Sequence, residues 1–471
     1  MGYDTNGNQL FSFIQFLVTH ILVIASSGAG KTNLSYHLIL QVAKTLKGLW
    51  LYDFFKEEFG TKLKSRLAQE GINLIVLPIH KLKINPMQLP IGVPLSSWIP
   101  RLADMLCQVF ELPPRASKIL QAKLFILFDK FDIENGNFPT LFDLYEIIKE
   151  DKELNHQARM AILDNFEPVL RSLGPKVLAY RYGWPSNELA KHHIAFELGG
   201  GSETAKNLIL NSTILSEFIS RISRGISNTK MDLMIFADEA QRLCSSAETS
   251  PIASLIGLVR GSGIGLDLSL QSTYQLLPQI VSNTATKILG RCGSIADFNA
   301  AGHSMGLSPE QIHWAQMNLC PGQFVGQLGE GSWRHPFVFK VPLIKLSQNT
   351  PANLYDINPF PELKTVYASE FDTWGQIPQI NLPVENKIFD SEQELEFCKA
   401  VANNPMQPSS AYPKIAGISS KNAKKIREQL ITKGFITEHK LDSTSRGRST
   451  ILLEILPAGF TAIQKYQEQM R

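Results

Sequence analysis

The chain has few cysteines, almost no charge imbalance and no long apolar run, and each shortage removes a class of protein. Its five cysteines (Cys107, Cys244, Cys292, Cys320 and Cys398) lie far apart with no C-x-x-C pair. That excludes a disulfide framework and a structural zinc site, and reduced thiols in a cytoplasmic setting are expected. The neighbouring His192 and His193 precede an apolar stretch without a third metal ligand and read as structural or surface residues. Basic and acidic residues nearly cancel, 46 against 43, for a net charge of +3. A globally basic nucleic-acid binder is excluded, so any basic surface must be local. No stretch reaches the roughly 18 consecutive apolar residues that a membrane helix needs, so no direct membrane insertion is expected. The opening "MGYDTNGNQLFSFIQFLVTHILVIA" has Asp4 ahead of its apolar part, no basic leader, and Gln15 and His20 within it. It reads as an approach strand followed by a core strand, not as a signal segment.

What is present is a chain of 471 residues, 44% apolar and 19% charged, enough for two or three domains and a large core. "ILVIASSGAGKTNL" joins a buried strand, Ile21 to Ile24, to a glycine-rich turn and then a helix from Asn33 to Leu46 with apolar residues at Leu34, Leu38, Val42 and Leu46. The turn fits the phosphate-loop pattern with Ala25 in its first position, followed by Ser26, Ser27, Gly28, Ala29, Gly30, Lys31 and Thr32. Glycines let backbone N–H groups curl around phosphates, and the helix start adds its positive dipole end. Lys31 is expected to reach the outer phosphates, and Thr32 to hold Mg²⁺ through its hydroxyl. ATP and Mg²⁺ are the cofactors this implies.

Further strands are expected in "GLWLYDFFKEEF", ending at Asp53, and in "INLIVLPI". From Trp98 to Asn187 the apolar spacing turns helical throughout, which predicts an all-helical insertion at 98–187 between two parts of an α/β core, 1–97 and 188–345. Strands resume in "HHIAFEL", "DLMIFADE", "GLDLSLQS", "TKILGRC" and "FVGQLGE". Strands alternating with helices predict a mostly parallel sheet covered on both faces. Residues 346–389 are rich in proline and polar residues and read as an extended linker or arm, and 390–471 as a separate small unit.

Three strand ends carry chemistry. The apolar run Leu233 to Ala237 is followed by Asp238 and Glu239, at the sheet edge where ligands of open α/β folds sit. Asp238 suits Mg²⁺, and Glu239 suits orienting and deprotonating an attacking water, which favours hydrolysis over transfer to an acceptor; an acidic pair capping the next helix is the alternative. A second strand ends in Gln271, a neutral amide able to sense the terminal phosphate. Arg260 precedes that strand and Arg291 ends the next, and either could stabilise charge on a transferred phosphoryl group. By contrast "ELGGGSETAKN" has no G-x-G-x-x-G and reads as a tight loop, with a helix N-terminus near the nucleotide as the alternative, and "WLYDFFKEEF" reads as core and helix face.

In this order the motifs "THILVIASSGAGKT", "LWLYDFFKEEF", "LMIFADEAQRL" and "RGSGIGLDLSLQSTYQLLPQIVSNTATKILGR" resemble the HerA/FtsK superfamily of ring-forming DNA-pumping ATPases, nearer to the HerA and conjugation-ATPase branches. The resemblance runs over most of Met1 to Val341 apart from the helical insertion. It implies a RecA-like P-loop fold, a homo-hexamer with nucleotide sites between subunits, and roles for Lys31, Thr32, Asp238, Glu239 and Gln271, with Arg260 and Arg291 as finger candidates. HerA-type members carry a β-barrel before the ATPase core, and this chain has little before Ile21, so assembly is expected to rely on other surfaces or on a partner.

The last unit resembles a winged helix-turn-helix, with helix, short helix, helix, hairpin and closing helix in order. Ser419 or Ser420 is expected to cap the third helix. Between Lys414 and Arg448 nine basic residues stand against three acidic ones. Lys414, Lys421, Lys424, Lys425, Arg427, Arg446 and Arg448 are the expected DNA contacts. The alternative is a winged helix that docks a protein partner, such as a nuclease or a membrane or secretion component. The functional expectation is a motor on duplex DNA, with a conjugation- or secretion-type ATPase and a slow nucleotide switch as the competing readings.

Overall fold

The computed structural model describes the chain except for residues 1, 4–8, 11–19, 56, 227, 239–260, 273–280, 282, 330–333, 347–348, 357, 376–387, 442–449 and 470–471. It divides into two compact units, Met1–Gly375 and Gln376–Arg471.

The first unit is built on one large sheet. Its strands are β1 (Gly2–Tyr3), β2 (Gln9–Leu10), β3 (Ile21–Ile24), β4 (Gly48–Asp53), β5 (Leu74–Pro78), β7 (His193–Glu197), β8 (Asn228–Asp238), β9 (Ser262–Leu270), β10 (Thr286–Leu289), β11 (Gln323–Gln327) and β12 (Phe337–Lys340), in the order β2-β1-β12-β11-β10-β3-β9-β8-β4-β7-β5. From β10 to β5 every neighbour is parallel. From β10 back to β2 every neighbour is antiparallel. The expected parallel sheet is therefore extended by an antiparallel margin whose strand β12 the sequence pattern did not separate from its surroundings.

Alternation along the strands explains why both faces are covered. Ile21, Val23, Leu49 and Leu51 face one way and share a core with α1 (Lys31–Ala43) and α2 (Glu58–Ala68). Leu22, Ile24, Trp50 and Tyr52 face the other way and share a core with the helices that follow β5. These are α3 (Leu95–Val109), α4 (Ala116–Lys130), α5 (Leu141–Glu150), α6 (His156–Leu173) and the single turn α7 (Pro175–Leu178). Next come a second single turn, α8 (Ser186–Leu189), the long α9 (Glu203–Ser223) and, after β10, α10 (Ile295–Ser304) and α11 (Pro309–Asn318). The insertion is thus one flank of the main core. Its boundaries are locally signalled: Thr140 and Asp143 form a reciprocal cap on α5, and Asn155 caps α6.

Two expectations change here. The insertion is not wholly helical, because β6 (Tyr180–Tyr182) pairs with β13 (Val366–Tyr367). The stretch expected as a linker or arm is, up to Gly375, packed into the first unit. Leu354 and Phe360 are buried. Arg181 meets Asp143 and Glu370 and lies over the rings of Phe131 and Phe371, at 4.7 and 5.5 Å. Trp374 donates to Glu146 at 3.1 Å, and Arg171 donates to the Gly375 carbonyl at 2.8 Å. Phe371 and Trp374 pack on the rings of Phe142 and Tyr145 of α5, and burying aromatic residues of a proline-rich stretch in this way outweighs the freedom of an open chain.

The second unit holds α12 (Glu392–Asn403), β14 (Gln407–Pro408), α13 (Tyr412–Ile415), α14 (Ser420–Thr432), β15 (Ile436–Leu441), β16 (Thr450–Ile455) and α15 (Pro457–Gln469). Its three strands run β14-β16-β15, and β14 is an addition to the expected order. Leu395, Phe397, Tyr412, Ile426, Leu430 and Leu453 form its core. The Tyr412 hydroxyl donates to the Asn404 carbonyl at 2.6 Å and accepts from the Gln407 N–H at 3.1 Å, locking the short helix beneath the sheet. Ser419 is the cap of α14, accepting from the Asn422 N–H at 3.3 Å.

Candidate functional site

The turn after β3 is held at its base by the two flanking strands. The Ala25 N–H donates to the Leu270 carbonyl at 3.1 Å, and both the N–H and the hydroxyl of Ser26 donate to the Arg291 carbonyl, at 2.8 and 2.9 Å. Gly28 and Gly30 take left-handed backbone angles, φ +78° and +96°. A Cβ on Gly30 would lie 3.0 Å from the Gly322 nitrogen, and that nitrogen donates to the Ala29 carbonyl at 2.9 Å. Glycine is required there by both angle and space. No side chain caps α1, and Lys31 and Thr32 stand at its first two positions, where the N–H groups and dipole of a helix start suit an anion.

These residues line a cavity of about 550 Å³ that also contains Gln271, directly beyond the end of β9. Tertiary folding therefore joins the loop and the strand-end amide, some 240 residues apart in sequence. Asp238 closes β8 opposite Ser269, placing its backbone at the same carboxyl edge. Glu239 and Arg260 lie outside the described residues. Arg291 follows β10 beside the phosphate loop and is exposed. A larger cavity, about 600 Å³, lies between the insertion and residues 364–366 and is walled by Phe138, Tyr182 and Trp184. It contains none of the phosphate-loop residues.

Two features of the site were not anticipated. Asp53, at the end of β4, lines the cavity while accepting from the N–H groups of Phe55, Glu58 and Phe59 at 3.3, 2.6 and 3.2 Å. Its carboxylate thereby fixes the turn into α2. The sequence signal was the same as for Asp238, a carboxylate directly after an apolar strand. The second feature is the segment 341–346, which lines the cavity through Leu343, Ile344 and Leu346. No local pattern marks it.

Beside Asp53, and its register partner across the sheet, Glu197 is almost fully buried. Burial pushes its carboxyl from the ordinary 4.5 up to about 7; the Tyr355 hydroxyl opposes this, and the nearby Glu57 and Asp53 carboxylates add to it. A carboxyl whose folded value is raised binds its proton more tightly in the folded state. Its contribution is full below about 4.5 and is lost as pH rises toward about 7. Glu197→Gln, a neutral mimic, should therefore gain stability relative to the parent between pH 5 and pH 8, by on the order of 2 kcal/mol. Urea unfolding of both proteins at the two pH values measures this, and a pH-independent difference would refute it.

In the second unit the exposed Lys421, Lys424 and Lys425 occupy the outer face of α14, opposite the buried Ala423, Ile426 and Leu430, and Lys414 is exposed on α13. Arg427 differs from the expectation. It is partly buried and paired with Glu438 at 3.0 Å, because its position on α14 faces β15. Lys433 is likewise committed, to Asp390 and Glu394. Arg446 and Arg448 lie outside the described residues.

No protein-family model and no curated protein matches the chain. Among solved structures it is similar to VirB4 of Thermoanaerobacter pseudethanolicus, with a TM-score of 0.56 and 18% identity over 73% of this chain and 96% of that one. Weaker similarities are to the bacterial conjugative coupling protein TrwBdeltaN70 (0.47, 14% identity, 71% and 88% covered) and to the genome packaging NTPase B204 from Sulfolobus turreted icosahedral virus 2 (0.33, 10% identity, 69% and 98% covered). The likeness to VirB4 is one of fold. With its phosphate loop, strand order and parallel core, the first unit has the RecA-like P-loop fold expected for the HerA/FtsK superfamily.

Proposed function

We propose that the chain is an ATP-hydrolysing, ring-type motor that moves duplex DNA. The observation that carries this reading is the single cavity holding Lys31, Thr32 and Gln271 at the carboxyl edge of a parallel sheet. A phosphate loop alone fits any nucleotide protein. A strand-end amide facing the loop supplies what a hydrolase needs in addition, a neutral group that tracks the terminal phosphate or the attacking water. Thr32 and Asp238 are hard oxygen donors suited to Mg²⁺, which when bound would neutralise phosphate charge. Lys31 and the α1 N–H groups bind and orient the phosphates, Glu239 accepts a proton from water, and Arg291 or Arg260 serves a neighbouring subunit. The lysines on α13 and α14 supply a local DNA surface within what we read as a winged helix.

The test is the ATPase rate of the full chain with and without linear duplex DNA, together with its mass in solution. Stimulation by duplex and a hexameric mass are the expected results. Slow turnover indifferent to DNA, in a monomer, would overturn the motor reading in favour of a nucleotide switch.

One observation favours a second reading, in which the tail docks a protein as in conjugation- or secretion-type ATPases. The second unit leaves Ile415, Leu441 and Phe460 each about half exposed, while Arg427 and Lys433 are used internally. Apolar exposure of that kind suits a protein surface better than phosphates.

A further inference from the structure

The segment 341–346 is tied to the phosphate loop's own helix. The Val341 N–H donates to the Gly322 carbonyl at 2.8 Å. Asn33, the residue after Thr32, uses both ends of its amide on the segment: its Nδ2 donates to the Pro342 carbonyl at 3.0 Å, and its Oδ1 accepts from the Ile344 N–H at 2.9 Å. His37 Nε2 lies 2.8 Å from the same Pro342 carbonyl. Behind the segment, Ile344 and Leu346 pack on the core shared with α1 and α2. In front, Leu343 is 85% exposed and lines the cavity. An apolar side chain left almost bare on a rigidly anchored segment, beside a phosphate site, is a surface waiting for a flat apolar ligand.

Resting on the nucleotide reading above, we infer that residues 341–346 are the seat of the nucleobase, with Leu343 as its contact, and that this seat accepts adenine and guanine alike. The reason for tolerance is the state of the nearby polar groups. Asn33 is engaged at both ends by the segment. The Tyr36 hydroxyl donates to Glu58 at 3.2 Å, and Lys62 pairs with Glu58 at 2.9 Å. A base held by apolar contact is distinguished from a similar base only weakly, whereas a site that hydrogen-bonds the base edge rejects the wrong one by orders of magnitude.

The test uses the full chain with Mg²⁺ and three probes: AMPPNP, GMPPNP and inorganic tripolyphosphate. The two nucleotides should bind within about threefold of each other. Leu343→Ala should weaken both by about fivefold, the worth of part of a leucine face, and leave tripolyphosphate unchanged. Leu343→Met, with similar apolar area, should restore nucleotide affinity. Because Leu343 is exposed, these variants should fold as the parent does. A preference of about a hundredfold for one purine would overturn the inference. So would an equal loss of tripolyphosphate binding, or a base affinity that responds to Phe55→Ala and not to Leu343→Ala. Failure of the parent to bind any of the three probes would instead bring down the nucleotide reading on which the inference stands.

Discussion

Glu239→Gln should bind ATP as tightly as the parent and hydrolyse it at less than about a hundredth of the parental rate, the usual cost of losing a general base. Binding and chemistry depend on different groups. In the proposed mechanism binding rests on the loop N–H groups, Lys31 and Thr32, and both side chains line one cavity. Glu239 immediately follows Asp238, the last residue of β8, two strands from β3 at the same sheet edge. Replacing its carboxylate by an amide keeps shape and removes basicity. Lys31→Ala should lose binding as well, because a cation facing the outer phosphates is removed. Nucleotide binding by fluorescence and phosphate release by a coupled assay separate the two outcomes. Turnover at the parental rate in Glu239→Gln would show that the base lies elsewhere.

Reversing charge at Lys421, Lys424 and Lys425 should strip the second unit of most of its DNA affinity. Each phosphate contact contributes about 0.9 to the slope of log affinity against log salt. Three lost contacts should lower that slope by about three. All three lysines are exposed, so thermal stability should move by no more than about 0.5 kcal/mol. Arg427→Ala is the contrasting variant. It removes the partner of Glu438 and should lower stability while leaving the salt slope unchanged. Salt titrations of duplex binding, read beside melting curves, check both. A folded charge-reversed protein with unchanged DNA affinity would move the tail to the partner-docking reading.

Much of the core was legible because its signals are local. Apolar runs too short for a helix and lacking its spacing read as strands buried on both faces, and β3, β4, β5 and β7 are built on such runs. The phosphate loop was legible because its glycines answer a backbone requirement of the turn itself. The helices of the insertion were legible from periodicity, and the structure adds the caps at Thr140 and Asn155. For the same reason β12, its residues only partly buried at the antiparallel margin, was not separated from its surroundings.

The sequence by itself determined most of the strands and helices, though not β6, β12, β13 or β14, that a phosphate loop stands between Ile24 and Asn33, and that the acidic and amide strand ends belong to one edge of a parallel sheet. Tertiary structure alone decided which groups meet. It set Gln271 in the cavity with Lys31, brought segment 341–346 onto Asn33, and laid residues 351–375 on the first unit. It also paired Glu197 with Asp53, and turned Arg427 toward Glu438 and away from solvent. Periodicity reports whether a residue faces inward. It does not report what faces it, because that depends on the register and order of strands distant in sequence, and only the packed core specifies these.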